Sequence, residues 1–110
     1  MRRSYASGVL FDMQVTDHDG TEVVTVVGDV DLAGLPRLHA ALESRAERVV
    51  VDLRAVDWFD PVCLGVLLAA NLRATRRGGS LTVVATAAVA EMLADTGVDQ
   101  VLAVTAAPPG

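Results

Sequence analysis

The sequence predicts an α/β domain built on one mixed β-sheet. Three observations lead there. Two β-branched runs open the chain with a turn between them. Val-rich runs then alternate with segments of helical period. One of those runs, Arg48 to Leu53, is nearly continuous in apolar residues, as a strand covered on both faces should be. The alternation implies parallel strands joined by right-handed crossovers, and the opening hairpin adds an antiparallel pair. The expected order is β-β-α-β-α-β-α-β, with helices packed on the sheet and the Val49 strand at its centre.

Residues 1–8 carry no pattern and are expected to form a flexible tail. The domain is expected over residues 9–105. Val9 to Val15 reads as a strand, Thr16-Asp17-His18-Asp19-Gly20 as a turn and Glu22 to Val27 as the returning strand. Gly28-Asp29-Val30-Asp31 is expected to break that strand. A helix from Gly34 to Arg45 follows, with Pro36 in its first turn and Leu35, Leu38, Ala41 and Leu42 as its apolar stripe. After the Arg48 strand comes an acidic, aromatic corner, Asp57-Trp58-Phe59-Asp60. A second helix is expected from Asp60 to Arg77. Asp60 suits its N-cap, Pro61 its first position and Gly78-Gly79 its stop. Leu81 to Ala85 is the next strand, Thr86 caps a helix that closes at Thr96-Gly97, and Val101 to Val104 is the last strand. Residues 106–110 read as a C-terminal tail.

The totals bound the function. The chain has 110 residues, enough for one domain, and 52% are hydrophobic. No apolar run approaches the roughly 18 residues of a membrane span. One cysteine makes no internal disulfide, which fits a cytoplasmic setting. The net charge of −5, with nine Arg and no Lys, argues against nucleic-acid binding. The Ala-, Val- and Arg-rich usage suggests a GC-rich bacterial genome.

Catalysis finds no support in the residues. Asp52, Asp57 and Asp60 sit where a phosphoacceptor carboxylate could lie, but no Lys is present to neutralise an acyl phosphate. The same acids bring together too few oxygen ligands for a hard cation, so no metal is expected. Cys63 lies in the first turn of a helix, where a thiol can be activated. A phosphatase-type cysteine would need an Arg six residues later, and Ala69 stands there. His18 and His39 have no nucleophile or second ligand at useful spacing. What remains is a surface: the helix after Asp60 starts Val62, Cys63, Leu64, Val66, Leu67, Leu68, more apolar than one buried stripe requires. A docking patch rimmed by Asp31, Asp57 and Asp60 is the functional reading.

At this corner the sequence resembles the STAS-domain anti-sigma factor antagonists of bacteria, over about residues 9–104. Gly28-Asp29-Val30-Asp31 is similar to the family's Gly-Glu-(Leu/Ile)-Asp after the second strand. Val50-Val51-Asp52-Leu53 matches its strand pattern ending in Asp-Leu. Trp58-Phe59-Asp60, Pro61-Val62-Cys63 and Leu64-Gly65 meet its aromatic-apolar-Asp, Ser-Ser-Gly and Leu-Gly signature. The later Gly-Gly and the helix ending Thr96-Gly97-Val98 also fit.

The resemblance implies a regulatory module that is not an enzyme and needs no cofactor. Its partner would be an anti-sigma factor, usually a serine kinase, whose capture frees a sigma factor for transcription. In the family the kinase phosphorylates the Ser after the signature Asp, and two added negative charges loosen the complex. Here that position is Pro61, followed by Val62 and Cys63, so the resemblance implies a phosphoacceptor site without a hydroxyl. The partner-binding residues expected are Asp31, Trp58, Asp60, Pro61, Val62, Cys63 and Leu64, with Val62 and Leu64 giving apolar contact. The family's terminal helix has no counterpart before Ala107-Pro108-Pro109, which implies a thinly covered sheet face and self-association as a homo-dimer. The alternatives are a small-molecule or nucleotide sensor using the helix N-terminus, and a non-catalytic subunit of a larger regulatory assembly.

Overall fold

The computed structural model describes residues 2–4 and 11–107. Six strands form one mixed sheet in chain order: β1 (Arg2–Ser4), β2 (Phe11–His18), β3 (Thr21–Val30), β4 (Arg48–Phe59), β5 (Ser80–Val84) and β6 (Ala103–Thr105). β1 and β3 each pair antiparallel with β2, and β3 to β6 run parallel. Helices α1 (Leu35–Ala41), α2 (Leu64–Arg76) and α3 (Ala87–Asp95) form the crossovers. The expected α/β architecture with β4 near the centre is therefore the observed one. Arg2–Ser4 pairs with β2 instead of belonging to a patternless tail. Met1, residues 5–10 and residues 108–110 lie outside the described residues, and these include Val9 and Leu10, the start of the first expected strand.

The β2–β3 hairpin closes on two residues. Asp19 and Gly20 have φ of 48° and 83°, the left-handed pair that a tight hairpin needs, and His18 pairs with Thr21. The strands therefore run further into the expected turn than the Asp-rich composition suggests.

Strands β3 and β4 extend past both expected ends. Gly28 bends β3 without ending it, with φ of 99°, and β4 continues through Asp57 and Trp58 to Phe59. Two register shifts absorb the extra length: Leu53 and Arg54 together face Val26, and Asp57 is the added residue before Asp29 pairs with Trp58. Val30 then pairs with Phe59, and both are buried. The corner thus begins three residues later than the composition implies.

Helix α1 is shorter than expected and ends at Ala41. The Ser44 hydroxyl accepts the Ala46 amide at 3.0 Å, an alternative to a continued helix, and the Arg73 guanidinium donates to the Leu42 carbonyl at 3.2 Å. Helix α2 ends as expected. Gly78 takes a φ of 79°, and the Gly79 amide reaches back to the Ala74 carbonyl at 2.8 Å. Thr86 caps α3 through the Val89 amide. The last strand starts two residues late, because Val98–Gln100 forms a 3₁₀ turn after Gly97.

One core joins all three helices to one face of the sheet. Leu38 and Leu42, Leu67 and Ala70, and Val89 and Leu93 pack on Val24, Val26, Val30, Val51, Leu53, Phe59 and Val83. Three right-handed crossovers stepping in one direction across the sheet put their helices on the same side. On the opposite face, Val50 and Val84 are buried outside that core, while Val27 and Trp58 stand exposed.

Candidate functional site

The parallel strands β3 and β4 end side by side, and each runs into an Asp-capped 3₁₀ turn. After β3, the Asp31 carboxylate accepts the Gly34 amide at 3.2 Å over Leu32–Gly34. After β4, the Asp60 carboxylate accepts the Val62 amide at 3.0 Å over Pro61–Cys63. Each turn leads directly into a helix, α1 or α2, so the aspartates also face helix N-termini, where negative charge is favoured.

The two turns are tied together. The Asp60 amide donates to the Val30 carbonyl at 2.8 Å, and the Cys63 thiol donates to the Asp31 carbonyl at 3.5 Å. Cys63 is fully buried between them. Burial pushes its thiol pKa up, and the negative charges of Asp60 and Asp31 push it further. A raised pKa keeps the thiol protonated, the reverse of an activated nucleophile.

Of the seven expected partner-binding residues, five lie on the surface of one corner. Trp58 is 51% exposed and Val62 59%; Pro61 is exposed, and Asp31 and Asp60 are half-buried. Cys63 and Leu64 do not present side chains there. Leu64 is 6% exposed and belongs to the core with Leu67, so it cannot supply the expected apolar contact. The physical reason is the 3₁₀ turn: α2 proper starts at Leu64, and its inward stripe is Leu64, Leu67, Ala70 and Ala74. The surplus apolar character of α2 is mostly absorbed by its neighbours, with Leu72 the large exception.

Leu32 was not among the expected residues, yet it is 61% exposed, on the turn tied to the one that carries Val62. Its signal was present in the sequence. It follows an Asp as Pro61-Val62 does, and it falls off the α1 stripe of Leu35, Leu38, Ala41 and Leu42. Asp29 joins the same edge by pairing with Trp58. Among the described residues no group of three His, Cys, Asp or Glu side chains is placed to hold a metal ion. A cleft of about 760 Å³ lies elsewhere, between α1 and β2, lined by Met13, Val15, Pro36 and Ala40.

Residues 13–104 match the family model described as Mlab, STAS domain. The chain belongs to the STAS domain family. Solved structures of anti-sigma factor antagonists share its fold. An anti-sigma factor antagonist from Mycobacterium paratuberculosis is 27% identical, with a TM-score of 0.82 over 94% of this chain and 92% of that one. A putative anti-sigma factor antagonist from Thermotoga maritima is 15% identical, with a TM-score of 0.77 over 86% of each chain. The anti-sigma factor antagonist SpoIIAA in its unphosphorylated form is 12% identical, with a TM-score of 0.69 over 87% of this chain and 89% of that one. No curated protein matches the chain at a significant level. The ends of β3 and β4 and the turns that follow them form one edge, and that edge carries the exposed corner. No helix among the described residues is long and apolar enough to cross a membrane.

Proposed function

We propose that this STAS domain is a non-catalytic, protein-binding module that captures an anti-sigma factor and so regulates sigma-factor-dependent transcription. The observation that carries this reading is the corner itself. Exposed apolar side chains stand on two turns tied to each other by backbone and thiol hydrogen bonds, a pre-formed surface that none of the described residues covers. Its similarity to the mycobacterial anti-sigma factor antagonist supports the choice of partner. Asp60 and Asp31 shape the two turns, and Trp58, Val62 and Pro61 present the contact.

In this reading the surface is constitutive. Pro61 holds the first position of the turn and offers no hydroxyl, and neither do Val62 and Cys63. A serine-kinase anti-sigma factor should therefore bind the corner and transfer no phosphate to it. The test is co-purification with an anti-sigma factor encoded beside the gene, using wild type and Val62→Asp. Capture by wild type and loss with Val62→Asp is the expected result; equal capture by both refutes the site. Mass spectrometry after incubation with that partner and ATP should find the peptide from Asp57 to Arg73 unmodified, and a phosphate on it would refute the constitutive switch.

A further inference from the structure

The corner carries more negative charge than its two caps require. Asp31 and Asp60 hold the turns, but Asp29 and Asp57 cap neither. Residues 27–33 and 57–63 include these four acids and no Arg, Lys or His, although the whole chain has a net charge of only −5. The same two segments carry Leu32, Trp58 and Val62, three of the six large hydrophobic side chains exposed among the described residues. Exposed apolar side chains interspersed with charge of one sign select their occupant by charge.

Charge complementarity excludes the mirror-image partner. A second copy docked through the same patch would place four carboxylates against four more, and like charges juxtaposed across an interface suppress binding. Anionic lipid and nucleic acid meet the same repulsion. We infer that the corner accepts a protein face whose apolar side chains are surrounded by arginines or lysines, and that Leu32, Asp29 and Asp57 take part in the contact with Trp58 and Val62. The inference rests on the reading of the corner as a docking surface, and it names what that surface recognises. The acids act chiefly on encounter: they speed association at low salt, while the apolar side chains set residence.

Two probes test this on the isotope-labelled domain by amide chemical shifts. One is a synthetic amphipathic helix with a leucine stripe flanked by arginines, and the other is the same peptide with glutamates in place of the arginines. The arginine peptide should shift amides of residues 29–33 and 57–63, and the glutamate peptide should not. Asp29→Asn with Asp57→Asn, which leaves both caps in place, should weaken the arginine peptide about tenfold at low salt. The difference should vanish near 1 M salt, where the screening length is about 3 Å. Leu32→Ser should weaken binding at every salt concentration. Shifts elsewhere, no shifts, equal binding of the two peptides or indifference to these variants would overturn the inference. An anti-sigma factor that binds the corner equally well at low and high salt would overturn it while leaving the docking reading intact. A corner that takes the arginine peptide but no anti-sigma factor would do the reverse.

Discussion

Replacing Asp60 by alanine and by asparagine separates the two effects of its carboxylate. One oxygen accepts the Val62 amide at 3.0 Å, and the charge lies near the buried Cys63 thiol. Loss of an N-cap acceptor costs about 1 kcal/mol, in a range of roughly 0.5–2. Asn caps about as well as Asp. Asp60→Ala should therefore lower the unfolding free energy by about 1 kcal/mol, which for a domain near 100 residues is a fall of about 4 °C in midpoint. Asp60→Asn should stay near wild type. Urea denaturation followed by circular dichroism measures the difference.

The thiol reports the second effect. Burial is the largest cause of the raised Cys63 pKa, Asp60 the next and Asp31 the third. Both variants remove the Asp60 charge, so both should lower the thiol pKa alike while burial keeps it above its ordinary 9.0. The folded state binds this proton more tightly than the unfolded state. The resulting stabilisation is complete below pH 9.0 and is lost as pH rises from there through the folded pKa. In the variants the loss should begin at the same pH and finish earlier. Equal destabilisation by Ala and Asn would refute the cap as the source of stability. An unchanged thiol titration would show that the carboxylate charge does not reach the sulfur.

Three further outcomes follow from the packing. A Cβ added at Gly79 would overlap the Glu47 carbonyl oxygen, which accepts the Ser80 amide where β4 and β5 begin, so Gly79→Ala should destabilise by about 1–3 kcal/mol. Gly65→Ala, where the added carbon meets nothing within 4 Å, should instead be neutral or stabilising, and denaturation of the pair checks the contrast. The Arg54 guanidinium holds the Asp52 carboxyl below its ordinary 3.8, so this pair contributes stability above pH 3.8 that is lost as pH falls through the folded pKa; Arg54→Ala should raise the Asp52 pKa in a carboxyl titration by NMR and shrink that loss, and an unmoved titration would refute it. Val62→Asp should change stability by no more than about 0.5 kcal/mol, whereas Leu64→Asp buries a charge in the core and should cost several times that; equal midpoints would show that α2 is not packed as described.

The fold was legible where one physical signal dominated. Continuous Val and Leu in β4, Thr86 at an N-cap and Gly78-Gly79 at a helix end each have one good reading, and each formed as read. The strand ends were harder because composition and pairing disagree. Gly28, Asp29 and Asp57 are poor strand residues, yet adjacent parallel strands hold them extended and two bulges take up the mismatch. At the corner, Asp60-Pro61 announced a helix start, and the sequence also showed Trp58 and Val62 beside it. It could not show that the first turn would be 3₁₀. A 3₁₀ turn advances each side chain by a larger angle than an α-helix does, and from that difference Leu64 faces inward and Val62 outward. Leu32 carried only a local signal, its place off the α1 stripe; its turn lies 30 residues from Val62 in sequence and is joined to the Val62 turn by the β3–β4 pairing and the hydrogen bonds that continue it.

That pairing also separates what the corner owes to folding from what it offers a partner. In a sheet of parallel strands every crossover helix starts at the same edge, so helix N-termini collect there and favour nearby carboxylates. Asp31 and Asp60 fit that demand fully, since each fills a cap. Their presence alone would say nothing of binding. Asp29 and Asp57 fill none, and Leu32, Trp58 and Val62 gain nothing for the core by standing exposed. Each of these five residues is unexplained by the fold, and all five lie on two strand ends and the turns that continue them. Coincidence of the residues that folding does not need, at one edge where hydrogen bonds tie the two turns together, is the physical case for a docking surface there.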